Sequence, residues 1–373
     1  MKKTLLITNF FPPAIGGIEN YYDNFCRRLE PSQIVVLTGY NSQGPAFDAT
    51  AKYKIIWTDF FDGRFPPRWR TLKSKVRAII KQEGIEQIIF GHFHPYCLLG
   101  RRFGLPYYIM AHGTDITQIK SNWWQKRALR RAYFSPLCRR IIPNSEFLSG
   151  EIVRLINDQS KVEKVYPGLD FDGLNQPIGD FASKKQLLGL DDNDIIMLSI
   201  GRVEPEKNYE AVIKMIPELL SKIPQLKYVI VGDGSDLERL KALVQNFGLR
   251  YNVIFTGAVA GDSINKAFYY QLGHLFVTVS LKPEGFGISY LEAQATKNAV
   301  IASKFGGSIE AVKDGETGLL VNPFKPAEIK DAIYRLATDR ELWSKMTAAG
   351  QAYAKDFDWK IQMDKLNKIF EQS

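Results

Sequence analysis

Short runs of apolar residues alternate with amphipathic stretches along the whole chain. Many of the short runs are nearly continuous and rich in β-branched side chains, which is typical of strands buried on both faces. The stretches between them repeat apolar positions with a helical period, most clearly over Tyr209–Ile223 and Asp236–Phe247. This alternation predicts βαβ units and therefore parallel sheets covered by helices on both faces. The predicted strands are Thr4–Thr8, Gln33–Thr38, Lys54–Thr58, Gln87–Phe90, Tyr107–Ala111, Arg140–Pro143, Val162–Tyr166, Ile195–Ile200, Lys227–Val231, Val253–Thr256, Leu275–Val279, Ala299–Ala302 and Gly318–Val321.

One segment without periodicity divides this pattern into two halves. Residues 168–185 are rich in Gly, Asp and Pro, a composition typical of a hinge or linker. We therefore expect an N-terminal domain over residues 1–170, a linker over 171–185 and a C-terminal domain over 186–355. Each is predicted to be a doubly wound α/β domain of the Rossmann-like type, with its ligands at the carboxyl ends of the strands. Two such domains facing a central cleft would bind their ligands there.

Composition excludes several classes of protein. The 373 residues are 45% hydrophobic and 24% charged, which is normal for a globular protein and excludes disorder, collagen and coiled coil as the dominant class. The three cysteines are widely spaced, which excludes a disulfide framework and a Cys-x-x-Cys zinc site. No segment reaches the ~18 apolar residues that a spanning helix needs. The apolar run near the N-terminus stops at Thr8-Asn9, so we predict a first buried strand and a cytoplasmic protein.

Positive charge is concentrated in one part of the N-terminal half. The chain carries a net charge of +9, whereas Arg64–Arg154 alone holds 17 Lys and Arg against 5 Asp and Glu, a net charge of +12. A basic region of this kind suggests phospholipid headgroups or a phosphorylated metabolite as partner. Residues 121–135 have the composition of an interfacial helix, and the alternative is an ordinary solvated helix face. No nucleic-acid-binding signature accompanies the charge, so we expect no nucleic-acid partner.

Two motifs follow predicted strands of the first half. Gly16-Gly17 precedes a predicted helix that begins near Ile18, and bare backbone N–H groups at a helix N-terminus form an anion site. The alternative is a plain tight turn. No Gly-x-Gly-x-x-Gly or Walker sequence is present there, so neither an NAD enzyme nor a P-loop enzyme is supported. His112-Gly113 ends another apolar run. The histidine there either points into the cleft, where ligands bind, or has a structural role.

Two motifs in the second half carry more specific chemistry. Gly201-Arg202 and Lys207 occupy one loop after a predicted strand, and two cations on such a loop suit a diphosphate. The alternative is a surface loop of mixed charge. Glu284 and Glu292 flank a Gly-Phe-Gly turn after another strand, and two carboxylates there suit the hydroxyls of a sugar or ribose. Either carboxylate taken singly has the alternative of a helix cap. Gly306-Gly307-Ser308 is interpreted as mainly structural, with Ser308 as a helix N-cap. The alternative for Gly306-Gly307 is that they line the cleft.

Taken together, these motifs resemble those of the retaining glycosyltransferases of family 4, which have the GT-B fold. The resemblance rests on Glu284-x7-Glu292 with its Gly-Phe-Gly core, on Gly201-Arg202 with Lys207, and on Gly16-Gly17 and His112-Gly113. It covers nearly the whole chain. The opening Thr8–Glu19 is similar to bacterial phosphatidylinositol mannosyltransferases and their relatives.

The resemblance implies a role for each matching residue. Arg202 and Lys207 would bind the diphosphate of a nucleotide sugar, and Glu292 would hold its ribose. Glu284, with the backbone of Phe286 and Gly287, would hold the donor hexose. The base would lie near Val253–Val259, and a C-terminal helix, about 356–373, would cross back to the N-terminal domain. The catalytic residues implied are His112, Arg202, Lys207 and Glu284, and the donor-binding residues are Gly16, Gly17, Gly201, Arg202, Lys207, Val259, Glu284, Phe286, Gly287, Ile288 and Glu292.

The resemblance also implies an activity, transfer of a mannose- or glucose-type hexose from a GDP- or UDP-sugar to a lipid-linked, polyol or glycan acceptor, forming an α-linkage. We expect no cofactor and no metal, because Arg202 and Lys207 would replace the cation. Asp170-Phe171-Asp172 has the spacing of a metal-binding Asp-x-Asp motif but lies at the linker. The alternatives are a nucleotide-sugar epimerase on the same fold and a non-catalytic nucleotide-sugar binding module. The basic stretch over residues 64–154 would hold the enzyme on the inner face of the cytoplasmic membrane.

Overall fold

The structure is a computed structural model that describes residues 1–59, 69–93, 96–113, 116, 123–259 and 263–371. The chain divides into two compact units. The first comprises Met1–Gly168 together with Lys360–Ser373, and the second comprises Leu169–Trp359. Each unit contains a six-stranded sheet in which every paired strand is parallel to its neighbour.

The sheet of the first unit has the strand order β3-β2-β1-β4-β5-β6. Its strands are β1 (Thr4–Ile7), β2 (Ile34–Gly39), β3 (Lys54–Thr58), β4 (Gln87–Phe90), β5 (Tyr107–Ala111) and β6 (Cys138–Pro143). The described helices between and after them are α1 (Gly17–Arg27), α2 (Gly44–Asp48), α3 (Trp69–Glu83), α4 (Trp123–Tyr133) and α5 (Glu146–Ile156), with 3-10 turns at Pro31–Gln33 and Tyr96–Arg102.

The sheet of the second unit has the strand order β12-β11-β10-β7-β8-β9. Its strands are β7 (Ile195–Ile200), β8 (Leu226–Val231), β9 (Val253–Gly257), β10 (Leu275–Thr278), β11 (Ala299–Ser303) and β12 (Gly318–Val321). The described helices of this unit are α6 (Phe171–Leu174), α7 (Phe181–Leu187), α8 (Tyr209–Leu220), α9 (Leu237–Asn246), α10 (Ser263–Leu272), α11 (Ile288–Ala295), α12 (Ser308–Ala311), α13 (Pro326–Thr338) and α14 (Arg340–Ala354), with 3-10 turns at Pro205–Lys207 and Lys355–Phe357. The last described helix, α15 (Trp359–Glu371), belongs to the first unit from Lys360 onward.

Both sheets reverse their direction of winding once. In the first the reversal falls between β1 and β4, and in the second it falls between β7 and β10. Loops that leave two such strands in opposite directions open a crevice at the carboxyl edge of the sheet, where ligands bind in doubly wound folds. The predicted fold class, two doubly wound Rossmann-like domains, is therefore confirmed. The topology also singles out the segments that follow β7 and β10.

The strands are buried because helices cover both faces of each sheet. Every residue of β1, β4, β5, β10 and β11 is buried, as the continuous apolar runs predict. At about 25 cal/mol per Å² of apolar surface removed from water, burial of this extent is the main stabilising contribution of each unit. The sheets are thus rigid platforms for the loops at their edges.

The predicted strand Val162–Tyr166 is wrong. This segment runs beside β6, where the N–H groups of Glu163 and Val165 donate to the carbonyl oxygens of Ile141 and Pro143. A parallel ladder also needs the N–H of the residue at position 143, and proline has none. Only an isolated bridge between Ile141 and Val162 therefore forms.

Two further expectations need correction. The segment that we expected to be an irregular linker contains α6 and α7, and it belongs to the second unit from Leu169 onward. The Asp170 carboxylate accepts from the N–H of Gly173 at 3.2 Å, so the Asp-x-Asp motif there provides a helix cap. Ser308 is the first residue of α12 and Gly307 is its N-cap, which makes the prediction of Ser308 as N-cap wrong.

The C-terminal helix α15 packs within the first unit from Lys360 onward. Phe370 is only 2% exposed. Its ring lies 4.8 Å from that of Tyr108 in β5 and 6.3 Å from that of Phe25 in α1, measured between ring centroids. Helix α15 therefore contributes to the core of the first unit.

We predict that Phe370→Ala lowers the free energy of unfolding of the first unit by about 3–5 kcal/mol, the usual loss when a buried aromatic ring is removed. Denaturant-dependent hydrogen exchange measures this loss unit by unit. Ile361→Ala on the same helix is the control, because Ile361 is 40% exposed. The packing is contradicted if the two variants exchange equally, or if protection falls in Leu169–Trp359 instead.

Candidate active site

The loops that follow β7 and β10 join at the carboxyl edge of the second sheet. The N–H of Leu281 donates to the carbonyl oxygen of Glu206 at 2.7 Å, which holds the two backbones together. Across the same junction Lys207 Nζ lies 2.8 Å from Glu284 Oε1. The two side chains are 21% and 16% exposed, so this ion pair is mostly buried but remains open on one side. The cation and the carboxylate predicted from two separate motifs therefore meet in one site.

The environment of Glu284 keeps its carboxylate ionised. Burial by itself raises the pKa of Glu284, but the positive charge and hydrogen bond of Lys207, the hydroxyl of Ser280 and the charge of Arg202 together bring it below its usual value. Ser280 Oγ donates to Glu284 Oε1 at 2.5 Å. The contacts with Lys207 and Ser280 fix this carboxylate in place, whereas a solvated one would be mobile. Because it is ionised, it accepts hydrogen bonds and donates none.

Arg202 lies on the same loop as Lys207 and is exposed, so its guanidinium is available to an anion at this edge. The loop approaches the end of β8 very closely at Gly201. A Cβ atom at Gly232 would lie 1.9 Å from the carbonyl oxygen of Gly201, so only glycine fits at that position. Tyr209, the first residue of α8, is buried beside this loop, and its Oη has no hydrogen-bond partner within the described ranges.

Helix α11 begins at the site directly after the Gly-Phe-Gly turn. Gly287 has φ +89°, and a Cβ atom there would lie 2.4 Å from the Tyr290 ring, so glycine is required. Ile288 is the first residue of the helix, and its N-cap Gly287 makes no side-chain cap. Backbone N–H groups at such a helix N-terminus bind anions or hydroxyl oxygens. The side chain of Phe286 is buried and packs on Phe357, which leaves its backbone as the part able to reach a ligand.

The loop after β11 packs against the backbone of the Gly-Phe-Gly turn. The N–H of Gly307 donates to the carbonyl oxygen of Glu284 at 2.9 Å. A Cβ atom on Gly307 would lie 2.1 Å from the carbonyl oxygen of Gly285. Gly307 therefore brings two backbone segments into contact, in agreement with the mainly structural role expected for this motif.

Glu292 lies on α11 and is held on both oxygens. Lys266 Nζ is 3.0 Å from Oε1, and Tyr270 Oη donates to Oε2 at 2.7 Å. Glu292 is 7% exposed. Val259, expected near the base, lies partly exposed in the loop after β9. The chain continues from there into residues 260–262, outside the described ranges.

In the first unit, His112 directly follows the last residue of β5 and is hydrogen-bonded to Tyr22 of α1. Its Nε2 lies 2.6 Å from Tyr22 Oη, and the Tyr22 hydroxyl donates to the carbonyl oxygen of Gly91 at 2.7 Å. A carbonyl only accepts, so the tautomer that satisfies both contacts carries its proton on Nε2. Desolvation lowers the pKa of His112 to about 3. The ring is therefore neutral at pH 7 and serves as a hydrogen-bonding group.

The predicted glycines of the first unit lie at the N-terminus of α1. Gly16 is the N-cap, and Gly17 is the first helical residue. A Cβ atom on Gly16 would lie 2.0 Å from Glu19 Oε2, so the Glu19 carboxylate lies directly over this backbone. A carboxylate at that position favours hydroxyl donors over a second anion. Thr114 and Asp115, which follow the His112-Gly113 motif, lie outside the described ranges.

Sequence reasoning missed three residues of the second unit: Ser280, Lys266 and Tyr270. Ser280 stands two residues after β10, so the rule that strand ends carry the chemistry would have included it. Lys266 and Tyr270 are one helical turn apart on α10, and no local signal connects them to Glu292 on α11. Their contact depends on how the two helices pack.

The basic stretch of residues 64–154 is described only in part, because residues 60–68, 94–95, 114–115 and 117–122 lie outside the described ranges. Helix α4 belongs to this stretch. It exposes Arg127, Arg130 and Arg131, and Trp123 and Phe134 near its two ends are 59% and 47% exposed. Positive charge and exposed aromatic rings thus share one helical segment.

Within the described ranges, no three His, Cys, Asp or Glu side chains come together as a metal-binding group. Over the same residues, no helix combines the length and the apolar character that crossing a bilayer requires.

Both halves of the chain match models of glycosyltransferase families. Residues 15–172 match the model described as Glycosyltransferase Family 4, and residues 180–353 match the one described as Glycosyl transferases group 1. The GDP-mannose-dependent alpha-(1-6)-phosphatidylinositol monomannoside mannosyltransferase of Mycobacterium tuberculosis is 27% identical over 95% of this chain and 94% of its own length. A D-inositol 3-phosphate glycosyltransferase of Streptomyces scabiei is 32% identical over 59% of this chain and 51% of its own length.

Solved structures share the fold at low sequence identity. Anabaena HepE in complex with UDP-glucose superposes with a TM-score of 0.85 at 19% identity, and both chains are covered completely. WaaG, a glycosyltransferase involved in lipopolysaccharide biosynthesis, gives a TM-score of 0.74 at 15% identity, over 98% of this chain and 99% of its own.

We predict that Lys207→Met lowers the free energy of unfolding of the second unit at pH 7 by about 1–3 kcal/mol, because a mostly buried carboxylate loses its cation. The usual pKa of Glu284 is 4.5, and its pKa in the folded protein is lower. The stabilisation is therefore complete above pH 4.5 and is lost as the pH falls through the lower value. Unfolding midpoints measured from pH 7 downward should show the gap between the variant and the wild type closing.

The control is Lys330→Met, which removes a surface pair with Glu218, whose side chain is 57% exposed. Its effect should be small at every pH, because surface pairs contribute little. A pH-independent gap for Lys207→Met would show that the loss comes from packing and not from the charge of Glu284.

Proposed function

Since this chain belongs to the glycosyltransferases that the two family models describe, we propose that it moves a hexose from a nucleotide-diphosphate sugar to a lipid-linked or glycan acceptor, forming an α-linkage with retention. The second unit takes the donor and the first unit takes the acceptor. The enzyme works in the cytoplasm, at the inner face of the membrane.

The ion pair of Lys207 and Glu284 is the observation that supports this proposal most. A single site at the switch point of the second sheet offers positive charge and a fixed carboxylate, 2.8 Å apart. Arg202 adds a second cation on the same loop. The cations suit a diphosphate, and the carboxylate, which accepts hydrogen bonds, suits the hydroxyl groups of a sugar. A nucleotide sugar therefore matches both parts of the site.

The chemical step breaks the bond between the anomeric carbon and a diphosphate oxygen. Negative charge develops on the departing diphosphate. Cations fixed at that position stabilise the transition state more than the ground state, and this lowers the barrier. Glu284 fixes Lys207 there before substrate arrives, so little reorganisation is left for the reaction itself. No divalent cation has a part in this proposal, because Arg202 and Lys207 supply the charge.

Retention follows in this proposal from attack on the face that the diphosphate leaves. The acceptor oxygen bonds to the anomeric carbon as the carbon–phosphate oxygen bond breaks, and the acceptor proton passes to a diphosphate oxygen. Glu284 is a poor nucleophile for a double displacement, since Lys207 and Ser280 both bind Oε1 and keep the pKa of this carboxyl low. His112 contributes a neutral ring that binds a hydroxyl.

The relatives suggest which donors to test. The mycobacterial relative is named as GDP-mannose-dependent, and a structural neighbour was solved with UDP-glucose. The same relative acts on a phosphatidylinositol mannoside, which supports a lipid-linked acceptor with an anionic headgroup for this chain. GDP-mannose and UDP-glucose are therefore the first donors to assay.

We predict that Arg202→Gln and Lys207→Met each reduce the rate of sugar transfer by about a hundredfold, or ~3 kcal/mol, the usual loss when one group that stabilises developing negative charge is removed. Nucleotide release from GDP-mannose or UDP-glucose is measured with and without a phosphatidylinositol acceptor, in EDTA. Lys282→Met is the matched control, since this cation is 73% exposed and lies 3.7 Å from Glu206.

Three outcomes of this assay contradict the proposal. An unchanged rate of sugar transfer in both variants would show that Arg202 and Lys207 do not bind the diphosphate. Conversion of the donor to an isomeric nucleotide sugar, with no release of nucleotide and no need for acceptor, would point to an epimerase. A requirement for Mg²⁺ in the wild type would contradict the role given to the two cations.

We also propose that helix α4 holds the enzyme on anionic lipid. Arg127, Arg130 and Arg131 are exposed, and near the ends of the helix Trp123 and Phe134 expose aromatic rings. Cations attract anionic headgroups, and aromatic rings enter the interface between headgroups and chains.

We predict that the wild type sediments with phosphatidylglycerol vesicles at low salt, but neither at high salt nor with phosphatidylcholine vesicles, because surface charges are screened. Neutralising Arg127, Arg130 and Arg131 to Gln should abolish the sedimentation. Neutralising Lys222, Lys241 and Arg250, which are exposed on the second unit, removes the same charge and should leave it intact. Equal losses in the two variants would assign the effect to net charge alone.

A further inference from the structure

Glu292 is held in place by two side chains of a neighbouring helix. Lys266 and Tyr270 stand one turn apart on α10, so they lie on the same face of that helix. Lys266 Nζ is 3.0 Å from Glu292 Oε1, and Tyr270 Oη is 2.7 Å from Oε2. Each oxygen of the carboxylate therefore has its own donor.

The three side chains are withdrawn from solvent. Tyr270 is fully buried, and the side chains of Lys266 and Glu292 are 14% and 10% exposed. The backbone of Tyr270 is fixed as well, because Asn298 Nδ2 donates to its carbonyl oxygen at 2.7 Å. The centroid of the Tyr270 ring lies 5.9 Å from that of the Phe276 ring in β10. These contacts leave the carboxylate little freedom to rotate.

A carboxylate has acceptor positions for about four hydrogen bonds. Lys266 and Tyr270 take two, and about two remain, the number that the vicinal hydroxyls of a ribose need. A free glutamate loses rotamer entropy when a ligand fixes it. Here that cost is met when the chain folds, so it does not reduce the affinity for a ligand.

We infer that Tyr270 and Lys266 are positioning residues for ribose recognition, and that they act by fixing the Glu292 carboxylate before the nucleotide binds. The inference rests on the proposed function, since it takes Glu292 as the acceptor of ribose hydroxyls. It adds two residues that contact no substrate. They give the donor site a preference for ribonucleotides over nucleotides that lack the ribose hydroxyls.

The test compares two ligands on each protein variant. Dissociation constants are measured by calorimetry for GDP or UDP, whichever the wild type binds more tightly, and for its 2′,3′-dideoxy analogue. Their ratio reports ribose recognition alone. A loss of folded protein changes neither constant in the ratio selectively, so a purely structural role does not move it.

We expect the wild type to prefer the ribonucleotide by about tenfold or more, as a hydrogen bond to a charged group allows. Tyr270→Phe and Lys266→Met should each reduce this preference by roughly three- to tenfold, mainly through weaker binding of the ribonucleotide. Affinity for the dideoxy analogue should stay near that of the wild type. Glu292→Gln should abolish the preference.

Two control variants remove the same chemical groups elsewhere in the unit. Tyr228→Phe removes a buried hydroxyl that bonds to Ser199 at 2.8 Å. Lys330→Met removes a lysine paired with Glu218 at 2.6 Å. Both should retain the wild-type ratio of dissociation constants.

The outcomes separate the inference from the function. If the wild type prefers the ribonucleotide and Tyr270→Phe and Lys266→Met keep that preference, the positioning role is overturned while the proposed function stands. A wild type that binds both ligands equally overturns the inference through Glu292. Binding of neither GDP nor UDP overturns the proposed function, and the inference with it.

Discussion

The ion pair between Lys207 and Glu284 is the interaction on which the proposed donor site depends. It joins two loops that leave neighbouring strands, β7 and β10, at the point where the second sheet reverses its winding. A cation held there by a mostly buried carboxylate cannot move away when a diphosphate binds. The same pair sets the protonation state of Glu284, because Lys207 lowers a pKa that burial would raise. Geometry and charge at this site are therefore established by one contact.

The two carboxylates of the second unit follow the same design. Each is bonded by one lysine and one hydroxyl group, Lys207 and Ser280 for Glu284, and Lys266 and Tyr270 for Glu292. Both carboxylates are therefore fixed acceptors of hydrogen bonds. Fixed acceptors recognise hydroxyl groups, which agrees with a nucleotide sugar as ligand and with chemistry that the departing diphosphate itself assists.

Most of the fold follows from local patterns, because buried parallel strands and amphipathic helices have distinct periods. The resemblance to a glycosyltransferase family is also confirmed by the family models that match both halves. The Val162–Tyr166 strand fails since Pro143, on the neighbouring strand, lacks the donor that a ladder needs. In the site, strand-end motifs indicate Lys207 and Glu284. Their direct contact, and the link from Lys266 to Glu292, depend on packing between distant segments, which no local pattern encodes.

The central claim is that the cations after β7 bind the diphosphate of the donor. A crystal structure of the protein with GDP or UDP tests it most directly. The account predicts diphosphate oxygens at about 2.7–2.9 Å from Lys207 Nζ and the Arg202 guanidinium, the usual length of a charge-assisted hydrogen bond. A nucleotide whose diphosphate lies away from both side chains, with the Lys207–Glu284 pair untouched, would contradict it.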